Sequence, residues 1–345
     1  MSSLENENRS ILVTGGCGMI GSNLVKRLVK EGWDVFVADD LWRGKTEYLY
    51  DDDGKAVIDL DKRFYELDLC DPKACESVIG KTDYIVHLAA RVAGVEYVFE
   101  NQGDIFRINN LINSNVFNAA KKAGRERIKG IIYAGTACSF PYSRQDTLDP
   151  EPLKEDELFP AYPESAYGWS KLMGQLELGY LEKETGIPCC TLIFHNVYGT
   201  PADTGVRAQV IPALIRRAVN FPDEEFVVMG NGEQERAFVH VDDVTDAIVL
   251  ALEKGWGEDC IQIGPSFCTS IRKVSEMIID ISGKKIIPRF DTSKPEGNKA
   301  RCADYSKAER ILGWEPKVGL KDGLGRCYEW IEKSMKSDEY KRDGR

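Results

Sequence analysis

Apolar runs of strand length, alternating with segments of helical spacing, constrain the fold of this chain more than any other feature. Ser10–Thr14 (SILVT), Trp33–Ala38 (WDVFVA), Arg63–Leu67, Tyr84–Ala90 (YIVHLAA) and Ile128–Ala134 (IKGIIYA) read as strands. Helical patterns at Leu24–Lys30, Lys73–Ile79, Ile105–Ala123 and Ser165–Thr185 fill the intervals, and Thr191–Phe194 and Cys260–Ile263 read as later strands. Strands that are apolar throughout and alternate with helices pair in parallel, with helices covering both faces of the sheet. The expected fold class is therefore α/β, a doubly wound parallel sheet. The stretch Tyr142–Ala166, rich in Pro, Asp and Glu, reads as a long loop at the functional edge of that sheet. From about Pro201 the alternation breaks down. The expected organisation is a first domain over residues 1–200, to which the chain returns at about 239–254, and a smaller α/β C-terminal lobe over 201–345 that covers the ligand.

Composition narrows the function. The chain of 345 residues suffices for one large α/β domain with an appendage. It carries 56 acidic against 45 basic side chains, a net charge of −11. That balance excludes nucleic acid as the main partner, because phosphate binding needs a basic face. Met1–Ser10 is polar and acidic, without the apolar stretch of a signal peptide, and no apolar run reaches the roughly 18–20 residues of a membrane span. The ten cysteines are scattered, with no CxxC pair. This points to free thiols in a reducing, cytoplasmic setting, with no metal site and no membrane attachment expected.

The first strand is followed by Gly15-Gly16-Cys17-Gly18-Met19-Ile20-Gly21, whose glycines at Gly15, Gly18 and Gly21 space as GxxGxxG. Strand, glycine turn and helix in this order make the Rossmann-type dinucleotide site. The glycines permit a tight turn and close approach of a pyrophosphate, and the helix start at Met19 and Ile20 directs N–H groups at it. Asp39, at the end of the second strand, is placed to accept the adenosine ribose hydroxyls and to repel a 2′-phosphate, which selects NAD over NADP. Asp68-Leu69, after the third strand, is placed to meet the adenine.

Tyr167-Gly168-Trp169-Ser170-Lys171 sets a tyrosine and a lysine four residues apart on one helix face. A phenol of pKa about 10 is a poor base at neutral pH, but a nearby ammonium and a cationic nicotinamide can lower it enough to take a proton from an alcohol. Thr136, at the end of the fifth strand, can join Tyr167 over one substrate oxygen.

With these residues in place, the chain resembles the extended short-chain dehydrogenase/reductase superfamily, in its nucleotide-sugar epimerase and dehydratase branch. The likeness runs from Ile11 to about Trp330 and includes ILVTGGCGMIGSNL, HLAA at 87–90, YGWSK, RAFVHVDD at 236–243 and LGWEP at 312–316. The resemblance implies that Thr136, Tyr167 and Lys171 are a catalytic triad and that the NAD is not released between turnovers. It assigns Asn196, Arg236 and Arg301 to the diphosphate of a nucleotide-diphosphate sugar, for which paired arginines suit bidentate bonding. It also implies a homodimer built on the helices at Ile105–Ala123 and Ser165–Thr185.

Within the branch, GVEYVFENQGDIFRINNLINSNVFNAA, TACSFP at 136–141 and FHNVYG at 194–199 are similar to the GDP-mannose 3,5-epimerase group. By that likeness the nucleotide is GDP, and Cys138 removes a proton beside a transient C4 ketone, a task within reach of a thiolate. The 4,6-dehydratases instead carry an acid and a base after the threonine, where this chain has Ala137-Cys138. The same families place a Lys or His on the opposite face of the sugar, and here Gln209 is the equivalent residue. An amide exchanges no proton at neutral pH, so a 4-epimerase stays open as the alternative. GDP-fucose synthases share the cysteine position but use NADPH, which Asp39 opposes. Non-catalytic redox-sensing or nucleic-acid-binding relatives typically lose the Tyr or Lys, which this acidic chain retains. His195 and Arg207 receive no role, while His87 and His240 read as structural.

Overall fold

The computed structural model describes residues 9–148, 150–293 and 297–337. β1 (Ser10–Thr14) leads through the glycine turn into α1 (Met19–Lys30), then β2 (Asp34–Asp39), the short α2 (Leu60–Arg63), β3 (Phe64–Glu66), α3 (Pro72–Ile79) and β4 (Tyr84–His87). α4 (Val95–Glu100), the long α5 (Gln102–Ala123), β5 (Gly130–Thr136), α6 (Ala166–Thr185) and β6 (Cys189–Phe194) complete the first half. The second half carries β7 (Asn196–Tyr198), α7 (Val210–Asn220), β8 (Val227–Met229), β9 (Glu235–Arg236), β10 (Phe238–His240) and α8 (Val241–Lys254). It ends with β11 (Ile261–Ile263), β12 (Thr269–Ser270), α9 (Ile271–Ser282), β13 (Arg289–Asp291), β14 (Ala300–Arg301), α10 (Ser306–Leu312) and α11 (Leu320–Lys336).

Seven strands form one parallel sheet in the order β11-β6-β5-β4-β1-β2-β3. β1 and β5 are buried along their whole length, which explains their apolar composition without alternation. Leu24, Leu28 (α1), Val244, Ile248 (α8), Leu312 (α10) and Trp314 pack on one face. Val78, Ile79 (α3), Val116, Phe117 (α5), Leu178 and Leu181 (α6) pack on the other. The sheet is thus doubly wound, and its strand order reverses between β1 and β4. In open α/β sheets, ligands bind in the crevice at such a reversal, beyond the carboxyl ends of the strands.

A separate core joins α7, α9 and α11 through Leu214, Ile215, Val274, Ile278, Leu324 and Ile331. The chain passes from the first core into this lobe at β7 and returns with α8, which packs on α1. The loop from Tyr142 to Ala166 is tied down in its middle: Leu153 and Leu158 are buried, and Leu153 bridges to Ala303. Among the described residues no helix is long and apolar enough to cross a membrane.

Candidate active site

A cavity of about 720 Å³ opens at the switch between β1 and β4 and extends to the second lobe. Gly15, Gly18, Met19, Ile20, Gly21, Asp39, Asp68 and Leu69 all line it. Gly15 has φ +70°, and a Cβ there would lie 2.9 Å from the Ala89 amide nitrogen. A Cβ at Gly21 would strike the Gly15 carbonyl oxygen. Both Cβ atoms would collide with backbone, so glycine at these positions is what lets the turn close tightly against the loop after β4 and the start of α1, the geometry a dinucleotide turn needs. The Asp39 carboxylate is pinned there by the N–H groups of Cys17 (2.9 Å) and Leu41 (2.8 Å). Burial raises its pKa, and the two amide bonds oppose the rise. Asp68 accepts the Cys70 N–H at 2.8 Å beside buried Leu69.

Ser165 caps α6 by accepting the Gly168 N–H, and the helix presents Tyr167 and Lys171 to the cavity. The Tyr167 hydroxyl is hydrogen-bonded to Thr136. Burial and nearby Cys138 push its pKa up, while the Thr136 bond, Arg301 and Arg43 oppose them. Lys171 is buried with its Nζ 4.7 Å from the centre of the Tyr133 ring, and burial lowers its pKa to about 7. Thr136 Oγ1 also accepts the Cys138 N–H at 3.2 Å, which holds the partly buried thiol at the cavity wall.

Behind the helix runs a buried polar chain. His87 Nε2 donates to Asn113 Oδ1 at 3.2 Å, and its Nδ1 accepts from the Thr14 hydroxyl at 2.7 Å. Asn113 donates in turn to the Tyr133 hydroxyl at 3.2 Å, which bonds the Lys171 carbonyl at 3.4 Å. His87 thus orients the strand under Lys171. His240 caps α8 by accepting the Asp242 N–H.

Arg236 and Arg301 sit directly opposite one another on the parallel pair β9 and β14, both buried and both at the cavity. Burial, with Arg301 beside it, lowers the Arg236 pKa to about 10. Two guanidinia brought this close in a buried wall suit a dianionic diphosphate. Asn196, at the start of β7, and Gln209, which precedes the first residue of α7, line the same space. The buried Asn196 Oδ1 and Arg301 Nε have no hydrogen-bond partner among the described residues. His195 is also at the cavity, bonded to Gln262 at 3.0 Å, and burial lowers its pKa to about 4.

Three groups of lining residues escaped the sequence reading. Trp42 lies between the guanidinia of Arg91 and Arg207, 4.5 and 4.4 Å from its ring. Glu164 lies beside Arg301, and Asn298 and Gln234 stand at the cavity with unpartnered carbonyl oxygens. A tryptophan after Asp39-Asp40 and an acidic residue three before Tyr167 were visible signals, but neither belongs to a local motif.

Residues 11–264 match the model of the NAD dependent epimerase/dehydratase family. The chain is 31% identical over 336 residues to GDP-mannose 3,5-epimerase of Arabidopsis thaliana, covering 97% of this chain and 85% of the relative. It is 30% identical to GDP-L-fucose synthase 1 of the same plant, covering 97% of each chain. Among solved structures, UDP-glucose 4-epimerase of Thermotoga maritima, determined with UDP-glucose, superposes with a TM-score of 0.84 at 30% identity, covering 95% of this chain and all of the other. The glycine cradle, the buried tyrosine–lysine helix and these matches converge: the chain belongs to the NAD-dependent epimerase/dehydratase family of extended short-chain dehydrogenases.

Proposed function

We propose that this enzyme is a GDP-sugar epimerase of the 3,5 type, acting through transient oxidation at C4. The observation that carries the reading is Cys138, whose thiol stands at the cavity wall two residues after Thr136 and close to Tyr167 and Arg236. Bound on the glycine turn, with Asp39 at its ribose, NAD supplies a reversible two-electron oxidation and a positive charge beside Tyr167. Thr136 and Tyr167 hold the C4 hydroxyl between them, and Tyr167 takes its proton. Lys171, one helical turn on, contributes positive charge when protonated. With C4 a ketone, the protons on C3 and C5 are acidified, and the Cys138 thiolate is positioned to remove them. Asn196, Arg236 and Arg301 anchor the diphosphate.

Gln209 supports a second reading. It lines the cavity before α7 and offers no exchangeable acid, which suits a 4-epimerase that only turns the sugar and returns the hydrogen to C4. Proton NMR in heavy water separates the two, with GDP-mannose and UDP-glucose as substrates. Deuterium entering C3 or C5, and lost in Cys138→Ala, is the outcome expected for the 3,5 type. Turnover with no exchange at those carbons would make the enzyme a 4-epimerase.

The homodimer is part of the same proposal. α5 and α6 pack against each other and still expose Phe106, Leu111 and Tyr180, apolar surface available to the same helices of a second copy.

A further inference from the structure

The cavity contains a carboxylate that none of the steps above uses. Glu164 lines the cavity one residue before the cap of α6 and three before Tyr167, and both side chains lie near the Arg301 guanidinium. Its carboxylate accepts the backbone N–H of Asn298 and faces Arg301 and Arg236. Burial raises its pKa, and the two guanidinia oppose that rise.

Asn298 adds a second acceptor. Its Nδ2 donates to Gln145 Oε1 at 2.7 Å, and the same oxygen accepts from Arg301 at 3.2 Å. Gln145 Nε2 donates to the Phe140 carbonyl at 2.9 Å. A carbonyl at one end of this chain and a guanidinium at the other permit only one orientation of both amides. Asn298, only 2% exposed and lining the cavity, is therefore left with Oδ1 unpartnered. A buried carbonyl oxygen without a donor is costly until a ligand supplies one.

A carboxylate and an amide oxygen in one wall accept hydrogen bonds and donate none, so they answer hydroxyl groups and reject anions. We propose that Glu164 and Asn298 read the sugar: they accept hydrogen bonds from hydroxyls of a neutral hexose and exclude a hexuronate, whose carboxylate would meet Glu164. The inference rests on the nucleotide-sugar reading above and adds the class of sugar.

The test is calorimetric titration of the NAD-loaded protein with two matched pairs, GDP-mannose against GDP-mannuronate and UDP-glucose against UDP-glucuronate. In the pair whose base is accepted, the neutral sugar binds at least ~10-fold tighter, as like charges facing each other in a buried site require. Glu164→Gln keeps an acceptor for the Asn298 N–H and removes the charge. The preference then falls to about 2-fold or less, chiefly through tighter binding of the uronate. A Glu164 that only braced the Asn298 backbone would leave the ratio unmoved. Equal binding of hexose and uronate by the wild type, or an unchanged preference in Glu164→Gln, would overturn the proposal. Binding of none of the four ligands would overturn the nucleotide-sugar reading itself, and this inference with it.

Discussion

Exclusion of water sets the protonation of the groups around α6. Burial lowers His87 to a pKa of about 3 and His195 to about 4, from the ordinary imidazole value of 6.5. Between those limits the unfolded chain binds protons that the folded chain refuses. The stability these two residues contribute is therefore whole above pH 6.5 and is lost as pH falls toward 4. Lys171, at about 7 instead of 10.5, acts in the same direction at higher pH, so its share of stability grows from about pH 7 to 10.5. Urea unfolding at pH 7, 6 and 5 should show a slope approaching about 2.7 kcal/mol per pH unit from the two histidines together. His87→Gln should halve it; a slope that does not change would mean that His87 is charged in the fold. In the proposed mechanism the chemistry turns on Tyr167, whose hydroxyl is bonded to Thr136. Tyr167→Phe removes one oxygen from a packed site and should cut turnover about 100–10,000-fold. Nucleotide-sugar affinity, read by calorimetry, should stay nearly the same. Near-normal turnover would remove C4 oxidation from the mechanism.

Three loops meet at the cavity, and Trp42 holds them together. The loop after β2 supplies Trp42 and Arg43, the loop after β4 supplies Arg91 and Val92, and the segment before α7 supplies Asp203 and Arg207. Arg207 donates to the Trp42 carbonyl at 2.5 Å and its own carbonyl accepts the Gly94 N–H at 3.2 Å. Arg43 pairs with Asp203 at 3.1 Å and donates to the Val92 carbonyl at 3.1 Å. Trp42→Ala deletes both cation–π contacts, each worth about 0.5–2 kcal/mol. It should speed the loss of NAD by about 10-fold or more, measured as cofactor retained after dialysis; full retention would disconnect the clasp from cofactor binding. The sequence announces the glycine turn and α6 because their signals lie within a few neighbouring residues. α4 and the anchoring of Leu153 were not legible, since a six-residue helix and one buried leucine leave no periodicity to read.

The whole molecule sets the parallel sheet against a second lobe whose core is separate, with the cavity lined from both. Light scattering at micromolar concentration should give twice the mass of one chain. Replacing Phe106 and Leu111 on α5 with lysine should shift the protein toward monomer without unfolding it, because both are exposed in the single chain. A wild-type monomer would contradict the assembly proposed here.

Taken alone, the sequence determined the parallel doubly wound sheet, the glycine turn after β1 and the spacing of Tyr167 and Lys171. Each is written in a window of one strand or one helix turn, where backbone geometry converts spacing directly into position. Tertiary structure alone decided that Arg236 faces Arg301, that Glu164 meets the Asn298 backbone, and that Trp42 is held between Arg91 and Arg207. These partners are far apart in the chain, and no local period records them. They meet only because burying two separate apolar cores folds the second lobe over the carboxyl edge of the sheet.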